Sequence, residues 1–209
     1  MTNAQRYSTS LRHLRKDKKF EALIRKYGPP QLERGSKPFQ ALCRSIVYQQ
    51  LSGKAAATIF ARFISLFGDK KFPTPKQMCA MPIANMRKAG LSFQKASYLH
   101  DLAEKFESGT IRHHSLHKMK SDEIIRHLTQ VKGIGLWTVQ MFLIFTLNRF
   151  DVLPTGDLGV RKGFQILYKL KDLPTHAEME HAAKPWRQHA SIVSWYLWRV
   201  ADAAKAEKK

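Results

Sequence analysis

Two glycines in one short stretch constrain the fold of this chain more than any other feature. The stretch runs from Leu128 to Met141 and reads Leu-Thr-Gln-Val-Lys-Gly-Ile-Gly-Leu-Trp-Thr-Val-Gln-Met, with Gly133 and Gly135 between two apolar segments. Glycine permits positive backbone dihedral angles and leaves no side chain over the peptide groups. The pattern therefore predicts two helices joined by a tight turn, in which both glycines allow a positive φ. The amides at the start of the second helix, at its positive dipole end, can then approach a phosphate.

The rest of the chain also predicts helices. Thr74 with Gln77 and Thr175 with Glu178 match the capping-box pattern of a helix start. Asp157 follows a proline turn and opens a further helix. No segment alternates apolar and polar residues with a period of two, and no Asn-Gly or Asp-Gly hairpin signal occurs. We therefore predict an all-α fold.

The charge of the chain indicates the kind of partner it has. Lys and Arg number 36 and Asp and Glu number 16, for a formal net charge of +20, while 44% of the residues are hydrophobic. That apolar content is typical of a folded core and too high for a disordered basic tail. A folded protein with this charge favours a polyanion, with nucleic acid first and an anionic membrane surface second. The membrane alternative lacks an isolated basic amphipathic segment.

Several classes of protein are excluded by what the sequence lacks. The longest strongly apolar stretch, Val139 to Leu147, is far shorter than the roughly 20 residues that span a bilayer. The N-terminus has no apolar core of a secretory signal. Cys43 and Cys79 are too few for a disulfide framework or a four-cysteine metal site. We expect an intracellular protein without a cofactor, in the cytoplasm or nucleoid of a bacterium or the nucleus of a eukaryote.

Three motifs, in this order along the chain, resemble one enzyme family. They are IVYQQLSGKAA at 46–56, the segment 128–163 with the glycine turn and Pro154-Thr-Gly-Asp157, and KPWRQHASIVSWYLWR at 184–199. From about residue 38 onward the chain resembles the 3-methyladenine (alkylbase) DNA glycosylases of the helix-hairpin-helix superfamily that has a Gly/Pro-rich loop and an essential aspartate.

The resemblance implies an architecture for the chain. It implies a single glycosylase unit, 1–209, with two helical lobes and a DNA-binding cleft between them. Lobe 1 is expected at about 36–130 and lobe 2 at about 1–35 together with 136–209. The helix-hairpin-helix is expected at about 121–148, at the edge of the cleft.

The resemblance also implies roles for individual residues. Asp157 matches the essential aspartate, which stabilises the oxocarbenium-like sugar and orients the attacking water, since the C1′–N bond breaks with positive charge developing on the sugar. Gln50 falls where the family inserts a wedge residue into the duplex after the target nucleotide flips out. Trp137, Trp195 and Tyr48 are expected in the base pocket, because an electron-rich indole face suits a cationic alkylated purine.

The hairpin has its own implied roles. The phosphate-binding residues are expected to be Lys132, Gly133, Gly135 and Thr138, and in relatives the hairpin also holds a metal ion through its backbone carbonyls. No catalytic metal is expected. His113, His114 and His117 look like metal ligands, but a solvated polar loop is the commoner arrangement for such a cluster.

Each residue has a simpler alternative. Asp157 can be an ordinary helix N-cap, and Gln50 an ordinary loop residue. Trp137 and Trp195 can be core residues, and Tyr48 can pack internally. Trp186 and Trp198 are interpreted as structural.

One departure from the family pattern bears on the reaction. Bifunctional relatives have a lysine immediately before the hairpin threonine, where this chain has Trp137. The four cysteines of iron–sulfur relatives are absent, and about 35 residues before the first motif leave no room for an extra N-terminal β-domain. We expect a monofunctional, metal-independent, monomeric hydrolase without AP-lyase activity, acting on double-stranded DNA that contains alkylated bases. The alternatives are a non-catalytic helix-hairpin-helix DNA-binding protein and a glycosylase for oxidised or mismatched bases.

Overall fold

The computed structural model describes residues 3–30, 32, 37–68 and 72–207, and this part of the chain is helical, with no strand. Short 3₁₀ helices occur at His113–Ser115 and Lys184–His189. The all-α prediction is confirmed. The α-helices are α1 Asn3–Leu14, α2 Lys18–Tyr27, α3 Pro38–Tyr48, α4 Gly53–Ser65, α5 Pro75–Ala80, α6 Ile83–Lys88, α7 Phe93–Glu107, α8 Ser121–Leu128, α9 Leu136–Phe145, α10 Leu158–Tyr168, α11 His176–Ala182 and α12 Ala190–Ala206.

The capping signals begin the helices where the sequence predicts them. Thr74 and Gln77 form a capping box before α5, and Thr175 and Glu178 form one before α11. Asp157 caps α10 with its side chain. These local bonds satisfy backbone N–H groups that have no partner within the helix.

The end of α9 and the start of α12 differ from the bounds that the apolar periodicity predicts. The apolar pattern continues to Asn148, but α9 ends at Phe145, and Asn148 has a left-handed φ of +51°. The last helix begins at Ala190 rather than near Arg187, because Trp186 has non-helical dihedral angles within the preceding 3₁₀ segment. Apolar spacing alone does not report either backbone change.

The chain divides into two compact units. Unit 1 comprises Met1–Glu33 and Leu143–Lys209, and unit 2 comprises Arg34–Phe142. The division therefore falls within α9, whereas the lobes expected from the sequence end at residue 130 and resume at 136. The turn with Gly133 and Gly135 belongs to unit 2.

Unit 1 is organised around α12. Tyr196 of this helix is completely buried and donates its hydroxyl to the carbonyl oxygen of Gly28 at 2.8 Å, which attaches α12 to the end of α2. Burial raises the pKa of Tyr196 to about 12. Trp186 is buried edge-on against Phe20, with ring centroids 5.9 Å apart, so its predicted structural role fits its position.

Unit 2 has a separate apolar core. Four aliphatic side chains of α3 and α7 are completely buried: Leu42, Ile46, Leu99 and Leu102. Burying aliphatic side chains of this size contributes about 1.5–3 kcal/mol each. This packing fixes the ends of α3 and α7, which carry the loops described below. Within the described ranges, no helix is long and apolar enough to cross a membrane.

Candidate active site

The glycine turn between α8 and α9 depends on one of its two glycines for its shape. Gly133 has φ +79°, and a methyl group there would overlap the ring of Tyr98 from α7. Both the backbone conformation and the close approach of the ring therefore require glycine. Gly135 is not among the described glycines with positive φ, so of the two glycines that allow this conformation Gly133 adopts it.

Gly135 lies on the solvent-exposed side of the turn. A methyl group built on Gly135 would meet no atom within 4 Å, and the residue is exposed. The first N–H groups of a helix have no partner within the helix and carry its positive dipole end. The start of α9 therefore presents backbone amides at a surface that a phosphate oxygen can reach. Lys132 is exposed beside it, whereas Thr138 as a whole residue is only 6% exposed.

A buried carboxylate holds the entry to the turn. Asp101 of α7 is only 9% exposed, and its Oδ2 accepts the backbone N–H of Lys132 at 2.9 Å. Its Oδ1 accepts from the Lys105 ammonium at 2.6 Å. The ion pair and the backbone hydrogen bond together offset the desolvation of the buried carboxylate, and they attach the turn to α7. Asp101 is a residue that the motifs did not reveal.

Four of the predicted residues lie around one cavity in unit 2. The cavity has a volume of about 580 Å³, within the range of small-molecule sites. The predicted pocket residues Tyr48 and Trp137 line it together with Gln50 and Thr138. Trp137 is 52% exposed, which is unusual for so large an apolar side chain and contradicts a simple core role.

Arg44 belongs to this cavity and was not predicted. Its guanidinium carbon lies 4.1 Å from the centre of the Tyr48 ring, one helical turn away on α3. The other contact of the Tyr48 ring is edge-on with Phe60 of α4 at 6.0 Å. Tyr48 is thus half-buried and already carries a cation on one face. The spacing of four residues on a helix is the signal that could have identified Arg44.

Gln50 lies at the tip of the loop between α3 and α4. Its side chain is exposed, and its φ of +55° places the backbone in the left-handed region. A residue other than glycine in this region costs of order 1–3 kcal/mol and persists only where the surroundings hold it. The loop backbone therefore has a defined conformation, although the Gln50 side chain is exposed.

In unit 1, Asp157 stands at the N-terminus of α10. Its Oδ1 accepts two hydrogen bonds, from the Val160 backbone N–H at 2.9 Å and from the indole Nε1–H of Trp198 at 2.9 Å. The predicted N-cap is therefore present. A second donor from α12 adds a function that capping alone does not need, since it fixes the orientation of the carboxylate.

Two glycines of α10 allow α12 to approach this carboxylate. A methyl group at Gly163 would overlap the carbonyl oxygen of Leu197, and one at Gly159 would lie 2.9 Å from Cδ1 of Trp198. Trp198 was interpreted as structural, yet it contacts Asp157. The spacing of Gly159 and Gly163, four residues apart on one helix face, is a signal of such close helix contact.

Trp195 lies on α12 in unit 1 and is partly buried. Its ring is edge-on to Tyr196, at 5.1 Å, and the Arg199 guanidinium lies 5.2 Å from the ring centre. Like Tyr48, it therefore has a cation of the protein against its aromatic face.

A metal ion fits the turn only through backbone oxygens. Within the described part of the chain, no group of His, Cys, Asp and Glu could hold a metal, and His113 instead stacks on Phe106 with centroids 5.2 Å apart. The carbonyls of Val131 and Gly133 each accept one protein hydrogen bond, at 3.1 and 2.8 Å. Each retains a second lone pair for a cation. An ion there would add positive charge beside a phosphate.

The helix–glycine turn–helix and the capping aspartate define a helix-hairpin-helix protein. Residues 43–188 match the model of the HhH-GPD superfamily base excision DNA repair protein. The chain belongs to this superfamily, as the three sequence motifs predicted.

Three matches to known proteins, one by sequence and two by structure, cover most of the chain. DNA-3-methyladenine glycosylase 1 of Schizosaccharomyces pombe is 36% identical over 192 residues, which cover 91% of this chain and 84% of the relative. The solved S. pombe 3-methyladenine DNA glycosylase in complex with abasic DNA has a TM-score of 0.78 at 36% identity, covering 91% and 95% of the two chains. The solved DNA-3-methyladenine glycosidase of Bacillus halodurans has a TM-score of 0.86 at 34% identity, covering 93% and 89%.

Proposed function

We propose that this protein is a DNA glycosylase that removes alkylated purines of the 3-methyladenine class from duplex DNA in base excision repair. The observation that carries the proposal is the Asp157 carboxylate, oriented by the Val160 amide and the Trp198 indole. A fixed anion is what a reaction with a developing sugar cation needs. The names of the similar proteins, which describe 3-methyladenine glycosylases, support the choice of substrate class.

The proposed reaction begins with the DNA backbone and the base. Amides at the start of α9, with Gly133, Gly135, Thr138 and the Lys132 ammonium, bind phosphates. The damaged nucleotide leaves the stack, because its glycosidic bond is inaccessible within a duplex. Gln50 enters the vacated space, and the extruded base is received by Tyr48, Trp137 and Trp195.

Bond cleavage follows from the charge of Asp157. The C1′–N bond breaks with its electron pair passing to the base, while the carboxylate stabilises the cationic sugar. Water then adds to C1′ and its proton passes to the carboxylate, which leaves an intact strand with an abasic site. A cationic alkylated base is the better leaving group, because cleavage neutralises it.

The absence of a strand-cleaving step is part of the proposal. A lyase needs an amine that attacks C1′, and the residue before Thr138 is Trp137, which has none. The proposed partner is double-stranded DNA with alkylated bases, and the protein is proposed to bind it as a monomer without a cofactor.

The test is base release from five duplexes. They contain 3-methyladenine, 7-methylguanine, ethenoadenine, hypoxanthine or 8-oxoguanine, and the freed bases are separated by chromatography. We expect release of 3-methyladenine, strand breakage only after alkali, and no protein–DNA adduct after borohydride. Binding without release would make the protein a DNA-binding module. Release from an 8-oxoguanine duplex alone would reassign the substrate, and an efficient adduct would make the enzyme bifunctional.

A further inference from the structure

The loop that carries Gln50 is bonded to the glycine turn through the preceding residue. The Gln49 carboxamide Nε2 donates to the carbonyl oxygen of Gly133 at 2.8 Å, and both residues lie in unit 2. Gln49 is partly buried, and its neighbour Gln50 is exposed with its backbone in the left-handed region. The bond therefore joins the proposed wedge loop to the proposed phosphate-binding turn directly.

A lysine holds the same loop from the other side. The Lys95 ammonium of α7 donates to the carbonyl oxygens of Val47 and Gln49, at 2.8 and 2.6 Å. These two carbonyls are at the C-terminal end of α3, where the helix dipole favours a cation. Burial lowers the pKa of Lys95, and the two carbonyl bonds favour the charged form against that desolvation.

The turn at the other end of this connection is itself anchored on α7. Asp101 of that helix accepts the Lys132 amide, and the Tyr98 ring fills the space beside Gly133. Lys95, Tyr98 and Asp101 thus present one face of a single helix to both structures. Because α7 is rigid and buried, the distance from the turn to the loop has little freedom.

We propose that Gln49 and Lys95 are positioning residues that hold the Gln50 loop at a fixed distance from the phosphate-binding turn, so that gripping the backbone sets where the wedge enters the duplex. The proposal rests on the proposed wedge role of Gln50. Gln49 lines the cavity beside Tyr48, but in this assignment its carboxamide stays bonded to the Gly133 carbonyl, and neither Gln49 nor Lys95 acts on the sugar or the base. Their effect is on the opening of the base pair and not on bond cleavage.

A positioning role and a simple packing role differ in one respect. Loss of positioning should slow excision according to whether the damaged base is paired, whereas loss of packing should not. Extruding a nucleotide costs a few kcal/mol in a paired duplex and least where the base is already unpaired. A misplaced wedge should therefore slow excision from a fully paired site and spare excision from an unpaired one. Loss of the fold would slow both equally.

The first experiment replaces Gln49 with methionine, which keeps the length of the side chain and removes the donor. Single-turnover base release is measured at saturating enzyme on one lesion, either fully paired or opposite a gap. We expect release from the paired site to fall about tenfold, as for loss of one hydrogen bond, and release opposite the gap to change less than about twofold. Equal losses on the two substrates would overturn the proposal.

Matched variants control for the chemistry of the substitution. Gln165→Met removes a carboxamide-to-carbonyl bond of the same type, from Gln165 Nε2 to Lys171 oxygen in unit 1, and should leave both rates unchanged. Lys95→Met should give the same paired-versus-gap split, whereas Lys88→Met, which removes an exposed charge of α6, should not. Gln49→Glu should be worse than Gln49→Met on the paired site, because a carboxylate repels the Gly133 carbonyl.

A binding measurement keeps the test independent of the enzyme's activity. A duplex with 2-aminopurine opposite an abasic site is saturated with protein, and the fluorescence reports unstacking by the inserted loop. We expect Gln49→Met to reduce the fluorescence increase at equal occupancy, and Gln165→Met to preserve it. An unchanged increase in Gln49→Met would overturn the positioning role. Failure of base release with a normal wild-type fluorescence increase would instead contradict the proposed glycosylase function.

Discussion

The glycine turn of unit 2 and the Asp157 N-cap of α10 in unit 1 present different kinds of chemical group. In the turn, the groups offered to a ligand are backbone amides, and side chains such as Tyr98 and Asp101 only shape the backbone. At the N-cap, the group is the Asp157 carboxylate, which the backbone amide of Val160 and the indole of Trp198 orient. Substitutions should therefore act differently in the two places.

The difference concerns how many groups share one task. In the proposed function, phosphate binding is spread over several amides and cations, so that each contributes a fraction of the affinity. Stabilisation of the sugar cation is there assigned to one anion, Asp157. We therefore expect DNA affinity to depend on several residues of the turn, and base release to depend on one carboxylate.

The largest effect is expected at Asp157. Asparagine caps a helix about as well as aspartate, and its amide oxygen can still accept from Trp198, so the melting temperature of Asp157→Asn should change little. The neutral amide cannot balance the sugar cation or take a proton from water, so base release should fall by about 10²–10³ or more. Calorimetry and single-turnover release measure the two effects. A folded variant with near wild-type release would leave Asp157 as a cap only.

The two glycines of the turn should respond differently to the same methyl group. Gly133→Ala forces a left-handed alanine against Tyr98 and should cost about 1–3 kcal/mol of stability, which lowers the melting temperature by roughly 2–4 °C per kcal/mol. Gly135→Ala adds its methyl group to open surface, so stability should hold while affinity for duplex DNA falls. Thermal denaturation and DNA titration distinguish them. Equal effects on stability would refute the separate roles.

The tryptophans should differ in selectivity. Trp137→Ala and Trp195→Ala each remove a π face, and losses should be larger for cationic 3-methyladenine than for neutral hypoxanthine, by about 0.5–2 kcal/mol. The difference should be smaller for Trp195, because the Arg199 guanidinium already lies 5.2 Å from its ring centre. Rates on both lesions provide the measure. Equal losses on the two lesions would assign the residue to packing.

One cation of the turn should contribute a small and general effect. Lys132→Ala should weaken binding to all duplex sequences alike, and the slope of log K against log salt should become shallower by about 0.9 for one lost phosphate contact. Base release at saturating DNA should be retained. An unchanged slope would remove Lys132 from the phosphate-binding set.

Acid should destabilise both units modestly. Burial lowers the pKa of His127 in unit 2 and of His189 in unit 1, and neighbouring positive charge adds to this. Because the folded state disfavours the protonated ring, the unfolded state binds more protons, and stability falls as the pH decreases below about 6.5. His127→Gln keeps an acceptor for the Arg112 amide and should flatten this decline between pH 7 and 5. An unchanged pH dependence of the melting temperature would contradict it.

The sequence predicted those parts of the site that are local in the chain. The glycine turn, the capping boxes and the Asp157 cap each depend on residues a few positions apart, so their patterns are visible in one segment. Either glycine of the turn allows a positive φ, and only the structure shows that Gly133, next to the Tyr98 ring, adopts it. The helix ends at Phe145 and Ala190 likewise accompany backbone dihedrals, at Asn148 and His189, that apolar spacing does not reveal.

The sequence by itself determined that the chain is helical, basic and a member of its superfamily, because periodicity, charge and ordered motifs are properties of the linear chain. Only the tertiary structure decided which partners hold the site. Trp198 meets Asp157 from a helix 41 residues away, and Gln49 meets Gly133 across 84 residues. Such contacts exist because glycines without a Cβ let backbones approach and buried helices fix the geometry. No spacing rule along the chain specifies them.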